Sequence, residues 1–365
     1  MSNYIKKVCF LIPSVKSGGI ETYLLRFLQH NREKINATVL VRIDSKGELY
    51  DDYLATGANI IFKPLGYLNI QSMIWYFKFF KTEKFDTICD FNGNFAGIPM
   101  LVSKSAGIEK RITFYRQGSD HFKKSVFKRL YNSSMNKLVY KYSTAILANS
   151  IAGLAFFFPN QYQKDDRFKV IKNGVNTYDF LESASDKKKL RKELALPEDA
   201  YIIGHTGRFT EAKNHYFLLD VVQKLMEVDD SIHLVLIGND TNKLIPYINQ
   251  LKIQERCIVL GYQSTIPKYL KTFDMFFFPS VTEGQPNALI EAMISGLPIV
   301  ASNIAAIKEC LPKNRQDCLI DPNNVIMAVE KVKEVKENAT KYTFVKHAVS
   351  NFDAEIQFGE FMETL

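Results

Sequence analysis

Two basic side chains occupy a short loop near the middle of the chain, at a spacing that suits a diphosphate. Arg208 and Lys213 lie five residues apart, between a predicted strand at 201–205 and a predicted helix at 215–228. Arginine offers a planar fork of donors and lysine a point charge, and both bind phosphate oxygens. A lysine at a helix start is disfavoured by the helix dipole, so an anion bound beside it would explain its position. The alternative is one exposed arginine and one unrelated lysine.

A second loop, 279–293, follows a predicted buried strand and carries two carboxylates. Glu283 lies in the loop and Glu291 in the helix after it, eight residues away, so the two would contact different parts of an elongated ligand. Carboxylates accept hydrogen bonds from sugar hydroxyls. Pro286 suits a first helical position and leaves the following N–H groups free for phosphate. The neighbours of Glu291 are nearly all apolar, so its charge needs a partner; a solvent-facing helix residue is the alternative.

Glycines follow two further predicted strands. Gly18 and Gly19 lie between the first predicted strand and a helix, and Gly238 follows the strand predicted at 233–237. Glycine lets the backbone approach a ligand, and a helix N-terminus offers N–H groups to an anion. Neither loop matches GxGxxG or the GK[ST] of a P-loop. A tight structural turn is the alternative at each position.

Together these segments resemble the retaining glycosyltransferases of the GT-B fold, specifically family four of that enzyme class, over nearly the whole chain. The most specific part is the E-x7-E segment that runs from Glu283 to Glu291. The other matching segments are Gly207-Arg208 with Lys213, Gly18-Gly19, Leu236-Ile237-Gly238, Val259-Leu260-Gly261-Tyr262 and, at the junction of the domains, Ile171-Lys172-Asn173-Gly174-Val175.

The resemblance implies a nucleotide-diphosphate sugar donor, with a UDP-sugar favoured, held mainly by the C-terminal domain. Arg208 and Lys213 would neutralise the leaving diphosphate, Glu291 would bind the ribose and Glu283 the sugar hydroxyls. The remaining donor-binding residues implied are Gly18, Gly19, Gly238, Tyr262 and the backbone of Asn287, Ala288 and Leu289. No DxD-type carboxylate pair lies in a suitable loop, so we expect no metal and no other cofactor.

One position departs from the family pattern. Many members carry a histidine after the fifth N-terminal strand, near the donor sugar, whereas this chain reads Phe114-Tyr115-Arg116-Gln117 there. The register places Arg116 at the histidine position as a substitute hydrogen-bond donor, with His121 as the displaced alternative. We therefore predict Arg116 as a fourth catalytic residue beside Glu283, Arg208 and Lys213.

Charge is divided unequally between the two halves. Residues 1–175 contain 26 Lys and Arg against 13 Asp and Glu, whereas the whole chain carries a net charge of +8. Aromatic and aliphatic residues alternate with basic ones in the stretch 110–141, which is typical of a helix on an anionic membrane surface. We expect the acceptor and membrane side to include Lys123, Lys124, Lys128 and Arg129. A solvated helix face is the alternative; nucleic acid is disfavoured because no nucleic-acid-binding motif is present.

Short β-rich runs alternate with amphipathic stretches along the chain, which indicates an α/β fold with parallel sheets. The pattern restarts after Asn173-Gly174, so we predict two doubly wound, Rossmann-like domains facing across a cleft. Their boundaries are 1–175 for acceptor binding and 176–341 for the nucleotide sugar, with a helical segment at 342–365 packing back on the first domain. The chain opens on an apolar run of about seven residues, too short for a secretory signal. We expect a cytoplasmic protein, peripheral at the inner face of the membrane.

The favoured function is a retaining transferase that adds a sugar to a saccharide or a polyprenyl-diphosphate-linked saccharide during capsule, exopolysaccharide or O-antigen assembly. Two alternatives are a sugar-nucleotide epimerase of the same fold and a non-catalytic, donor-binding partner of another transferase. The basic N-terminal half and the E-x7-E segment argue against the epimerase. Only the missing histidine favours the non-catalytic partner, and Glu283, Glu291, Arg208 and Lys213 argue against it.

Overall fold

The structure, a computed structural model, describes residues 5–66, 69–118, 126–181 and 186–365. The chain forms two compact units. The first, here called the N-terminal unit, comprises Met1–Gly174 and Ala354–Leu365, and the second, the C-terminal unit, comprises Val175–Asp353.

The N-terminal unit is built on a seven-stranded parallel sheet with the order β3-β2-β1-β4-β5-β6-β7. The chain winds outward from β1 in one direction and then from β4 in the other, which is the doubly wound arrangement that was predicted. Strand β1, with the sequence KKVCFLI, is buried along most of its length, as expected where helices cover both faces of a sheet. The strands are β1 Lys6–Ile12, β2 Ile35–Val41, β3 Asn59–Phe62, β4 Thr87–Asp90, β5 Lys110–Tyr115, β6 Ala145–Ala148 and β7 Phe168–Val170.

The C-terminal unit repeats this arrangement with a six-stranded parallel sheet of order β10-β9-β8-β11-β12-β13. The strands are β8 Tyr201–Thr206, β9 Ile232–Ile237, β10 Cys257–Val259, β11 Met275–Phe278, β12 Ile299–Ser302 and β13 Leu319–Ile320. Here the winding direction reverses between β8 and β11, which are hydrogen-bonded neighbours. The predicted α/β class with two Rossmann-like sheets is confirmed.

Helices connect the strands of both sheets, and several begin at a side-chain cap. Asn69 accepts the Ser72 N–H, and Ser150 accepts the Gly153 N–H, so each satisfies a first-turn donor. The helices are α1 Gly19–His30, α2 Tyr50–Ala55, α3 Ile70–Glu83, α4 Gly97–Ser105, α5 Val126–Tyr142, α6 Ile151–Phe157, α7 Thr177–Leu181, α8 Lys187–Glu193, α9 His215–Met226, α10 Ile245–Gln250, α11 Ile266–Leu270, α12 Asn287–Ile294, α13 Ala305–Lys308, α14 Val325–Glu337, α15 Val345–Phe352 and α16 Ala354–Thr364.

The last helix, α16, packs into the N-terminal unit, as predicted. Phe358 and Phe361 are buried there, and the ring of Phe361 lies 4.7 Å from that of Phe27 on α1. Thr87 of β4 donates to the carbonyl oxygen of Leu365 at 2.8 Å. The structure thereby divides the predicted segment 342–365, because α15 belongs to the C-terminal unit and only the residues from Ala354 onward belong to the N-terminal unit.

Candidate active site

The predicted donor-site residues of the C-terminal unit gather where its winding direction reverses. Parallel strands end at one common edge, so the loops after β8 and β11 lie side by side. A backbone bond joins the two loops, since the Val281 N–H donates to the Ala212 carbonyl at 2.8 Å. Ligands of open α/β sheets bind in the crevice at this point of the topology. The structure therefore brings the Arg208–Lys213 loop and the Glu283 loop together.

Lys213 and Glu283 form an ion pair, although they are 70 positions apart. Nζ of Lys213 lies 2.7 Å from Oε1 of Glu283, and their side chains are only 19% and 12% exposed. The ammonium group also lies 4.6 Å from the ring centroid of Phe278, at the end of β11. The charge of the predicted diphosphate lysine is thus neutralised by the predicted sugar-binding carboxylate.

Gly238 fixes the backbone beside Arg208. The N–H groups of Gly207 and Phe209 donate to the carbonyl groups of Ile237 and Asn239, which extends the β8–β9 pairing into the loops. A Cβ atom at Gly238, where φ is +152°, would lie 2.1 Å from the Gly207 carbonyl oxygen. No side chain other than glycine's fits this close approach.

Helix α12 carries the second predicted carboxylate. Pro286 precedes the helix, no side chain caps it, and Asn287, Ala288 and Leu289 form its first turn. By helix geometry the first N–H groups have no acceptor inside the helix. Glu291 is 6% exposed, so the alternative of a solvent-facing helix residue at this position is excluded.

Tyr262 is 39% exposed and follows Gly261, whose carbonyl oxygen accepts the Gly238 N–H at 2.6 Å. The predicted base-side segment is therefore linked by the backbone to the loop that carries Gly238. The loops after β8, β9, β10 and β11 form one connected rim, and this rim holds every donor-site residue predicted in the C-terminal unit outside α12.

Two buried histidines behind this rim were missed by the sequence analysis. His205 is the penultimate residue of β8 and His215 begins α9, and their ring centroids are 4.9 Å apart. Nδ1 of His205 donates to the Phe277 carbonyl oxygen at 2.9 Å. Burial lowers the pKa of both, and the Lys213 charge lowers them further; the pKa of His215 falls to about 4 although the Gly207 carbonyl favours its protonated form. Both imidazoles are neutral at pH 7.

In the N-terminal unit, Arg116 directly follows β5 and is buried. Its guanidinium carbon lies 3.7 Å from the ring centroid of Tyr23, and Nη2 donates to Oδ1 of Asn173 at 2.6 Å. Gly18 and Gly19 lie at the start of α1, and a Cβ at Gly19 would meet no atom within 4 Å. Arg116 and this loop lie at the carboxyl edge of the same sheet, as the sequence predicted.

The predicted membrane-side residues can be placed only in part. His121, Lys123 and Lys124 lie outside the described residues, and Lys128 and Arg129 belong to α5. Across residues 5–66, 69–118, 126–181 and 186–365, no helix has the length and hydropathy needed to span a membrane. Within the same ranges, no cluster of three or more His, Cys, Asp or Glu side chains is arranged to hold a metal ion.

Comparisons with known proteins match the C-terminal unit to a family and most of the chain to named relatives. Residues 186–348, within the C-terminal unit, match the family described as "Glycosyl transferases group 1". The chain is 28% identical to the capsular polysaccharide biosynthesis glycosyltransferase CapH of Staphylococcus aureus, over 82% of this chain and 81% of that protein. It is 25% identical to an Escherichia coli UDP-Gal:alpha-D-GlcNAc-diphosphoundecaprenol alpha-1,3-galactosyltransferase, over 75% of this chain and 74% of that one.

One solved structure resembles this chain over nearly its whole length. The crystal structure of Anabaena Alr3699/HepE in complex with UDP superposes with a TM-score of 0.82 and 21% identity, covering 98% of this chain and 99% of that chain. This likeness establishes the fold, with its two Rossmann-like units, as that of the GT-B glycosyltransferases. The chain is a glycosyltransferase, and its C-terminal unit contains a glycosyl transferases group 1 domain.

Proposed function

We propose that this glycosyltransferase transfers a sugar from a nucleotide-diphosphate sugar, a UDP-sugar by preference, to a saccharide acceptor in the assembly of a surface polysaccharide. The observation that carries the proposal is the Lys213–Glu283 ion pair at the point where the winding of the C-terminal sheet reverses. The UDP bound in the Anabaena structure and the names of the bacterial relatives support this choice of donor and process.

The proposed donor site uses electrostatics for the chemistry. As the bond between the sugar and the diphosphate breaks, negative charge accumulates on the departing oxygen. Arg208 and Lys213 supply positive charge there, and the first-turn N–H groups of α12 add partial charges of the same sign. Because Lys213 is only 19% exposed, its charge is less screened than that of a surface lysine.

Two carboxylates bind the hydroxyl groups of the donor in this proposal. Glu291 accepts from the ribose and Glu283 from the sugar, since an ionised carboxylate has several acceptor positions and no donor. Gly18, Gly19, Gly238 and Tyr262 complete the donor contacts. Transfer then proceeds with retention at the anomeric carbon and without a metal ion, as the family resemblance implies.

The acceptor is proposed to be a polyprenyl-diphosphate-linked saccharide at the inner face of the membrane. The E. coli relative is named for a diphosphoundecaprenol substrate, and the basic N-terminal half of this chain suits an anionic surface. Helix α3 exposes Ile70 and Ile74 one turn apart, followed by exposed Lys78 and Lys81. This mixture of apolar and basic side chains is typical of a helix that contacts lipid headgroups.

The test is a calorimetric titration of the full chain with UDP, GDP, ADP and dTDP and their sugars, with and without a divalent metal ion. We expect metal-independent binding of UDP. In Lys213→Ala and in Arg208→Ala the affinity for UDP should fall about tenfold or more, because each substitution removes a positive charge that would contact the diphosphate. Lys331→Ala is the matched control, because Lys331 is 17% exposed and pairs with Glu334 on α14.

Three results would overturn parts of the proposal. Absence of nucleotide binding by folded protein would remove the donor site, and equal losses in Lys213→Ala and Lys331→Ala would remove Lys213 from it. Binding without transfer to any prenyl-diphosphate saccharide would favour a non-catalytic partner. The anomeric configuration of the product, read from its NMR coupling constants, decides between retention and inversion.

A further inference from the structure

Arg116 is a buried charged residue of the N-terminal unit, and two of its guanidinium nitrogens have no acceptor among the described residues. It is 8% exposed and directly follows β5, with its guanidinium stacked on Tyr23 of α1 and 5.2 Å from the ring centroid of Phe114. Burial lowers the pKa of Arg116 only to about 10, so the group keeps its positive charge at neutral pH. The N-terminal unit thus holds a buried cation.

Most of the hydrogen-bond donors of the Arg116 guanidinium have no acceptor among the described residues. An arginine side chain has five N–H groups. The bond from Nη2 to Asn173 goes to a neutral amide, and within the described part of the chain Nε and Nη1 are buried with no acceptor. Glu21 is near enough to favour the charged form, but its Oε1 accepts a hydrogen bond from Ser14 at 2.7 Å.

Other polar atoms at the same edge of the sheet are also unsatisfied. Oδ1 of Asn149, which follows β6 beside β5, is buried without a partner among the described residues, as is the hydroxyl group of Tyr23. Leaving buried polar groups unpaired is costly, and leaving a buried charge unpaired is costlier still. Packing alone would favour a methionine or leucine here, so the arginine needs a further reason.

We propose that Arg116 binds an oxyanion carried by a substrate, either a sugar carboxylate or a phosphate, within the N-terminal unit. An oxyanion would accept the unused N–H groups of the guanidinium and neutralise its charge, in a site that already excludes most water. Arg116 would therefore determine specificity, selecting a substrate with an acid group over its neutral counterpart. This inference rests on the proposed function, because it presupposes a sugar or lipid-linked substrate.

The experiment compares pairs of ligands that differ in one acid group, by calorimetry on the full chain. UDP-glucuronic acid against UDP-glucose tests a carboxylate on the donor, and farnesyl phosphate against farnesol tests a phosphate on the acceptor. For one pair we expect the acid to bind about ten- to a hundred-fold more tightly, and we expect Arg116→Gln to bring that ratio close to one. Arg116→Lys, which keeps the charge, should keep part of the preference.

Controls separate this role from a structural one. Arg111→Gln changes an arginine near the start of β5 that donates to backbone carbonyls of Ile108, Glu109 and Tyr142, and it should leave the ratio unchanged. If Arg116→Gln does not fold, Arg116→Lys alone decides, since a reduced ratio in a folded variant supports the proposal. No preference for either acid in the wild type, or a preference that survives in Arg116→Gln, overturns it. Failure of UDP itself to bind would refute the proposed donor site, and the farnesyl phosphate pair would still decide the role of Arg116.

Discussion

Acidification is expected to destabilise the C-terminal unit through its two buried histidines. His205 and His215 are 0% and 1% exposed and pack ring against ring, with Lys213 contributing a positive charge beside them. Each can be protonated in the native state only at the expense of burying a second charge next to Lys213. In the unfolded chain both rings are hydrated and titrate near the ordinary histidine pKa of about 6.5.

The sign and size follow from this difference in pKa. Because the pKa of His215 is lowered to about 4 in the folded state, the unfolded state binds more protons below about pH 6.5. The free energy of unfolding is therefore fully present above about pH 7 and falls as the pH drops through 6.5 toward 4. At pH 5, His215 alone should reduce it by about 2 kcal/mol. The lowered pKa of His205 adds a loss of the same sign.

The carboxylates of the C-terminal unit whose pKa is lowered lose their stabilising contribution mainly at lower pH than the histidines. The pKa of Asp229 is lowered to about 2, chiefly by its hydrogen bond with Lys336, so its contribution is lost only at lower pH. The pKa of Asp90 is raised by burial and would act with the opposite sign, but Asp90 belongs to the N-terminal unit. A probe confined to the C-terminal unit therefore excludes the opposing contribution of Asp90.

The assay is urea denaturation at several pH values between about 7.5 and 5, followed by hydrogen exchange of peptides from α9 and β9. The fluorescence of Trp75 is unsuitable, because this single tryptophan lies in the N-terminal unit. In His215→Gln, the loss of unfolding free energy between about pH 7.5 and 5 should be smaller than in the wild type by about 2 kcal/mol. His233→Gln, which changes a partly exposed histidine, should leave this loss unaltered. An identical pH dependence in the wild type and His215→Gln would refute the argument.

Three further perturbations test the site and the fold. Gly238→Ala should displace the Gly207 backbone and weaken UDP binding about tenfold or more. Gly296→Ala is the control, because Gly296 also has a positive φ but its added Cβ would make only an ordinary contact. Equal UDP affinities of the two variants would contradict this prediction. Glu283→Gln should lower turnover about a hundred-fold or more. It should leave UDP affinity unchanged or raise it, because Lys213 loses its neutralising partner. Weakened UDP binding with full turnover would show that the roles assigned to Glu283 and Lys213 are wrong. Phe358→Ala should reduce the unfolding free energy of the N-terminal unit by about 3–5 kcal/mol, as measured by hydrogen exchange of α1 peptides, and a loss below about 1 kcal/mol would exclude α16 from that core.

Much of the fold could be predicted because parallel strands are short apolar runs that end at glycine-rich or polar loops. The runs that became β8, β9 and β11 stood out in this way, and the loops after them contain the proposed donor-site residues. Strand β13 has two residues and no pattern of its own, so it could not be found. The break between α15 and α16 was also invisible, because Asp353 is extended there to form a bridge with Val175, a contact between distant positions.

Individual site residues could be proposed from their types, but their partners could not. Lys213 and Glu283 were both candidates, yet nothing in their spacing places one against the other. The contact between His205 and His215 could not be predicted for the same reason, since neither residue type nor separation indicates that a strand end and a helix start meet there. Arg116 was predicted because the family resemblance implies a histidine at this position, and the Tyr23 ring that covers it, which lies on α1, could not be foreseen.

The ion pair between Lys213 and Glu283 compensates the charge of a largely buried lysine. Without Glu283, a lysine that is 19% exposed would face two imidazoles and a phenylalanine ring, and its charge would be poorly compensated. Under the proposed function, a bound diphosphate would bring its own negative charge to Lys213 and compete with the carboxylate for the ammonium group. We expect the displaced carboxylate to have free acceptor positions that the hydroxyl groups of the donor sugar can occupy. We therefore expect donor binding to exchange one ion pair for another, so that Glu283 is available for the sugar only when a diphosphate is bound.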